Sequence, residues 1–287
     1  MKLVMMTSAL QKRYGAKKAL EEIKKAGFDG WDYTMLGSDD EFLPELQDSN
    51  ATAVIKELKR KADELGLPCL QAHGPCPNVP RFSTVERYVE MSKRAIEFAS
   101  ELECPLIVVH PGAFYSAKEN YERIYAPLLA VAERLGVRIA TENMFKWKDE
   151  TETQTVPAAC GTGKDFADHI DCANGNPYFT ACLDLGHAQM QNTEGAVSMI
   201  RALGGKRMGA LHVHDNDLWD DIHTAPFVGK SDWEEITSAL AEVGYDGHFT
   251  YETGGFFSRY PTEIFPELLR VLEKTGRYLI RRIEEKK

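Results

Sequence analysis

No two cysteines of this chain stand at C-x-x-C spacing. The six present, Cys69, Cys76, Cys104, Cys160, Cys172 and Cys182, form no regular framework. A thiolate metal knuckle and a disulfide scaffold are both excluded, and buried free thiols in a reducing compartment are expected. Long hydrophobic runs are missing too. No stretch reaches the roughly 20 apolar residues of a membrane span, and MKLVMM runs straight into polar sequence without a signal-peptide core. A soluble, cytoplasmic protein with no membrane partner is the expectation. Positive charge is scarce: 34 Lys and Arg face 44 Asp and Glu, leaving a formal net charge of −10. Nucleic-acid binding draws most of its affinity from cations on phosphates, so such a partner is disfavoured. A Gly-rich phosphate loop is also absent after the first apolar run, where MMTSALQKRYG stands. That counts against a doubly wound nucleotide-binding sheet.

What is present is a regular alternation. Short apolar runs at 2–6, 28–33, 68–73, 106–110, 137–142, 179–184, 209–214 and 248–252 have strand character. Between them lie amphipathic segments such as AKKALEEIKKAG, closed by Gly27, and VERYVEMSKRAIEFASELE, with apolar residues at i, i+3, i+4 and i+7. Strand–helix alternation without a linker implies parallel βαβ units. Eight strands in 287 residues, 43% of them hydrophobic, predict a single (β/α)8 TIM barrel spanning 1–287. The longest irregular stretch, 143–161, follows the fifth strand and is expected to be an active-site loop. Its Phe145 and Trp147 are candidates to wall a substrate.

Barrel enzymes carry reactive side chains at the C-terminal ends of several strands. Here the third strand ends in His73, the fourth in His110 and the fifth in Glu142. The sixth ends in Asp184, with His187 three residues on; the seventh carries His212 and His214; the eighth ends in Glu252. The stretch ALHVHDNDLWDDIH at 210–223 adds Asp215, Asp217, Asp220, Asp221 and His223. Carboxylates and imidazoles converging on one mouth repel or go unsatisfied without a cation, so a metal is implied. Glu142, Asp184, His212 and Glu252 offer three carboxylates and one imidazole, a set suited to Mn²⁺, Mg²⁺ or Co²⁺. His169 and His248 are expected to be ordinary packed histidines.

The ordered motifs HGP, HPG, TEN, LDLGHA, MGALHVHD, D-x-H and YET resemble the xylose isomerase-like TIM barrel superfamily. That group includes ketose 3-epimerases, hydroxypyruvate isomerase, inosose dehydratase and endonuclease IV. Resemblance to the sugar epimerase branch implies one divalent ion on Glu142, Asp184, His212 and Glu252, with His187 on the substrate. His212 is chosen over His214 because the branch pattern is His-x-x-Asp/Glu and Asp215 supplies the acid. Resemblance to endonuclease IV implies three Zn²⁺ ions, with His73, His110, His187, Asp221 and His223 as additional ligands. The segment AQMQNTE and the HVHDND pattern depart from that branch.

The chemistry expected is metal-dependent isomerisation or epimerisation of a ketose or polyol. A C–H beside a carbonyl loses its proton to one carboxylate, giving a metal-stabilised enediolate, and another carboxylate returns a proton. Glu142 and Glu252 are the candidate bases, Asp184 a ligand only, and His187 the group polarising the carbonyl. His73, His110, Trp31 and Phe256 are further substrate-contact candidates. The alternatives are an endonuclease IV-like phosphodiesterase, an inosose dehydratase-like lyase and a non-catalytic carbohydrate-binding barrel. The sugar, its phosphorylation and the homo-oligomeric state stay open.

Overall fold

A period of two along each apolar run sends alternate side chains to opposite faces of the sheet. Leu106, Val108, Ala140, Cys182 and Ala210 form a small apolar cluster. Their neighbours Ile107, Ile139, Leu183 and Leu211 join the much larger core shared with the helices. That division is the signature of a sheet closed on itself. A computed structural model describes residues 1–35, 46–47, 49–75, 84–112, 115–148 and 154–287.

The elements run β1 (Leu3–Met6), α1 (Ser8–Tyr14), α2 (Ala16–Ala26), β2 (Gly30–Thr34), α3 (Ala51–Leu65), β3 (Cys69–His73), α4 (Val85–Glu101) and β4 (Leu106–Val108). After these come α5 (Ala117–Asn120), α6 (Ala126–Leu135), β5 (Arg138–Glu142), β6 (Phe145–Trp147), β7 (Thr155–Pro157), α7 (Gly163–Asp171), β8 (Phe179–Asp184) and α8 (Leu185–Ala188). The chain ends with α9 (Ala196–Arg207), β9 (Met208–His212), α10 (Trp233–Glu242), β10 (Phe249–Tyr251), α11 (Gly254–Phe257) and α12 (Phe265–Lys286). Eight parallel strands follow the order β10-β1-β2-β3-β4-β5-β8-β9. A parallel bridge between Val213 and Tyr251 closes the ring, with the Val213 amide donating to the Thr250 carbonyl at 2.8 Å. The fold is a single (β/α)8 barrel.

Three expectations change in detail. The seventh barrel strand, β9, ends at His212, so His214 lies in the loop that follows. The stretch 143–161 is not irregular throughout, because β6 and β7 pair as an antiparallel hairpin; residues 149–153 lie outside the described residues. Two three-residue strands are too short to give a period. Helix α9 also went unread, although Ala196, Met199, Ile200 and Leu203 keep the helical spacing before Gly204 (φ 66°). Cys69, Cys104, Cys160 and Cys182 are buried free thiols and Cys172 is half-buried; Cys76 lies outside the described residues. Among the described residues no helix is long and apolar enough to cross a membrane.

The last helix is tied to the first strand by Asp29. Its carboxylate accepts from the Leu3 amide at 2.7 Å and from two Arg277 nitrogens at 2.6 and 2.9 Å. Burial pushes its pKa up, but Arg277 and the Leu3 amide outweigh that and hold it below the ordinary value. A depressed folded pKa contributes stability above the unfolded value, near pH 4, and loses it as pH falls through the folded value. Both side chains are about a third exposed, which screens the pair. Asp29→Ala is therefore expected to cost about 1–2 kcal/mol at neutral pH in urea unfolding, with the difference from wild type shrinking in acid.

Candidate metal centre

The strand ends deliver the chemistry to one mouth. Glu142, Asp184, His212 and Glu252 form one group whose ligand atoms all lie within 4.8 Å of one another. His73, His110 and Glu142 form a second, so Glu142 is common to both. His187, His214, Asp221 and His223 form a third. All nine residues named by the two resemblances thus meet here, with His214 added. Glu142 Oε1 and Glu252 Oε2 each stand 2.9 Å from His212 Nδ1, and His110 Nε2 is 2.8 Å from Glu142 Oε2. His214 Nε2 lies 3.0 Å from Asp184 Oδ1.

Local interactions explain why these side chains are held. Asn143, directly after Glu142, clamps the backbone of Asp184 with its amide at 2.9 Å and its carbonyl at 2.7 Å. Asp184 in turn caps α8, accepting from the His187 amide at 2.6 Å. Gly186 leaves the space that the His214 ring occupies: a Cβ there would sit 1.9 Å from Cε1 of that ring. Because a carbonyl only accepts, three histidines have their tautomer set by the backbone. Nδ1 of His73 donates to Gly74, that of His187 to Asn143 and that of His223 to Glu252, at 3.1, 3.0 and 3.0 Å. Each then presents Nε2 to a carboxylate: His73 to Glu142 at 3.9 Å, His187 and His223 to Asp221 at 3.3 and 2.9 Å.

The acids need positive charge, and without a cation the imidazoles supply it as protons. Burial pushes the His187 and His212 pKa values down. Asp184 and Asp221 reverse this for His187, and Glu142 and Glu252 for His212, leaving both well above normal. Burial likewise opposes, and Asp221 dominates, a rise of the His223 value to about 10. Burial raises the Glu142 and Asp221 carboxyls, yet neighbouring imidazoles hold both well below the ordinary range. His73, desolvated and next to His110, drops to about 4. A divalent ion fits this set by chemistry. Asp184 Oδ2 and Asp221 Oδ1 are buried with no hydrogen bond. Nitrogen and oxygen ligands about 2.1 Å from an ion lie at most about 4.2 Å apart, a separation the first group reaches by small side-chain shifts.

The 210–223 stretch divides its seven candidates. His212, His214, Asp221 and His223 face the cluster. Asp215 is buried and structural, accepting from the amides of Asn216, Phe227 and Ser231 and from Trp233 Nε1 at 2.9–3.1 Å. Asp217 caps the turn through the amides of Trp219 and Asp220, and Asp220 is exposed.

Trp31 requires correction as a sugar-stacking candidate. It is fully buried in the main core, edge-on to Tyr33 at 5.3 Å. On β2 the alternation sends Asp32, not Trp31, towards the barrel axis, where Gln71 Nε2 donates to it. Phe256 is half-buried on α11, its amide donating to the His223 carbonyl at 3.1 Å. Phe145, on the hairpin, stands edge-on to His187 with ring centroids 5.2 Å apart. His169 is a packed histidine, with Nδ1 donating to the Asp165 carbonyl and Nε2 accepting from Asn120. Sequence reasoning passed over Asp32, Gln71 and Asn143, and weighed His214 only as the rejected alternative to His212. Of the first three, Asp32 alone carried a signal: an acid in the middle of an apolar strand.

A parallel eight-stranded barrel with acids and imidazoles at the carboxyl ends of its strands defines an enzyme-type barrel. The chain belongs to the xylose isomerase-like TIM barrel family, whose model matches residues 20–275. It is 27% identical over 278 residues to the "Uncharacterized protein MJ1311" of Methanocaldococcus jannaschii, covering 89% of this chain and 85% of that one. A D-tagatose 3-epimerase-like protein superposes with a TM-score of 0.66 at 21% identity, covering 96% of this chain and 99% of its own. D-psicose 3-epimerase from Clostridium cellulolyticum H10, solved with D-tagatose, gives 0.70 at 18% identity, covering 97% and 99%. At such identities these likenesses establish the fold: it is the one sugar 3-epimerases use.

Proposed function

We propose that the protein is a divalent-metal-dependent isomerase or epimerase of a small ketose or polyol. The observation that carries this is the first ligand group: three carboxylates and one imidazole within 4.8 Å, at the mouth of an acidic barrel. Of these four side chains, Glu252 is the one that keeps solvent access, at 16%. Glu142, Asp184, His212 and Glu252 would hold the divalent ion, which would supply Lewis acidity to the substrate carbonyl. Glu252 keeps Oε2 buried against His212 Nδ1 at 2.9 Å and takes the proton from carbon through its other carboxylate oxygen. Glu142, across His212 Nδ1, is the second carboxylate, returning a proton from the other side. His187 Nε2, which lies 3.3 Å from Asp221, would turn to a substrate oxygen, and Phe145 walls that side. Return of the proton to the same carbon gives an epimer, and to its neighbour an isomer.

A second reading is favoured by one observation. Two further groups, His73–His110–Glu142 and His187–His214–Asp221–His223, have ligand geometry of their own, as a three-zinc phosphodiesterase requires. The net charge of −10 stands against a nucleic-acid substrate. Elemental analysis of protein purified without chelator or affinity metal separates the two. One Mn, Mg or Co per chain is expected; close to three Zn per chain overturns the sugar reading in favour of cleavage assays on abasic DNA. Incubation with ketoses in D₂O is then expected to place deuterium on a carbon next to the carbonyl.

A further inference from the structure

His212 differs from the other histidines of the mouth. Backbone carbonyls set the tautomer of His73, His187 and His223, each leaving Nε2 towards an acid. His212 is reversed: Nδ1 faces the carboxylates of Glu142 and Glu252. Its Nε2 points down into the barrel and makes no hydrogen bond. For Nδ1 to ligate a cation it must be unprotonated, so the proton must reside on Nε2 and find an acceptor. The carboxylate facing it is Asp32 on β2, whose Oδ2 stands 4.0 Å from Nε2, a gap that a small side-chain shift closes to a hydrogen bond. Cys182 is the other neighbour, but burial pushes its thiol up to about 12, and a protonated thiol is a weak acceptor.

Asp32 is itself held in place. Gln71 Nε2 donates to Oδ2 at 2.8 Å, and Thr250 Oγ1 donates to Gln71 Oε1 at 3.2 Å. All three side chains are buried, and Asp32 Oδ1 has no hydrogen bond. A carboxylate this deep with one donor is costly to the fold. Burial lifts the Asp32 carboxyl to about 7, and a cation bound through His212 would favour its charged form.

We propose that Asp32, braced by Gln71 and Thr250, is a positioning residue that fixes the Nε2–H tautomer of His212 and so aims Nδ1 at the metal. The proposal rests on the metal-dependent reading above. Its test uses metal binding rather than turnover. Chelator-stripped wild type, Asp32→Ala and the near-isosteric Asp32→Asn are titrated with Mn²⁺, free ion being followed by electron paramagnetic resonance. Thermal unfolding of each metal-free protein is measured alongside. Asp32→Ala is expected to bind Mn²⁺ about 10–100-fold more weakly, with its metal-free midpoint no lower than wild type. Asp32→Asn keeps an oxygen acceptor but not the charge, and is expected to fall between. An Asp32→Ala affinity within about threefold of wild type, against the expected 10-fold or more, overturns the role of Asp32 alone. A loss of affinity matched by a lower metal-free midpoint in both variants also overturns it, leaving a structural acid. Absence of Mn²⁺ binding by wild type overturns the metal-dependent reading and this proposal together.

Discussion

Glu142→Gln is expected to fold normally and to lose about 10²–10⁴-fold in turnover, the range a proton-transferring group supplies. The substitution is nearly isosteric, so packing at the end of β5 survives. What changes is charge. Glu142 belongs to two ligand groups at once, with Oε1 on His212 Nδ1 at 2.9 Å and Oε2 on His110 Nε2 at 2.8 Å. Its carboxyl is held below the ordinary range, burial opposing and the two imidazoles prevailing. It is therefore ionised throughout the neutral range, where a neutral amide is the poorest mimic. Circular dichroism and bound-metal content check the fold and site, and the D₂O exchange assay reads turnover. Exchange near the wild-type rate removes Glu142 from the chemistry.

Gly186→Ala is expected to lower stability by about 1–3 kcal/mol, the usual cost of overpacking, and to disperse the third ligand group. The added Cβ would meet His214 at 1.9, 2.3 and 2.4 Å from three ring atoms. The ring has nowhere to go. It is fully buried and stacked on His223 at 4.0 Å between centroids. Moving it carries away the nitrogen next to Asp184 and disturbs His223. Gly254→Ala is the control, since its nearest neighbour would be the Ser8 hydroxyl at 3.7 Å. Urea unfolding of the two variants reads the difference. Equal stability of both would mean that the 186–214 contact relaxes at no cost.

How much of this was legible beforehand depends on range. Strand positions could be read because the period of two and the helical period of 3.6 are local properties. So could the barrel, because eight strand–helix units without a linker leave few ways to close. The strand-end residues Glu142, Asp184 and Glu252 stood out for the same reason: an ionisable group ending an apolar run is visible without knowing its neighbours. The phase of a strand was not visible. Trp31 and Asp32 are adjacent, and which of them faces the barrel axis depends on how β2 sits between β1 and β3.

The 210–223 stretch shows the same division at closer quarters. Its composition alone determined that metal-binding groups are dense there. Only the tertiary structure decided that Asp221 enters the cluster while Asp215 is spent on four donors from 216–233. The line from Thr250 through Gln71 to Asp32 spans 179 and 39 residues of sequence, beyond any local pattern. Identity and local period belong to the chain itself. Partnership across the barrel arises only when closure brings distant strands together.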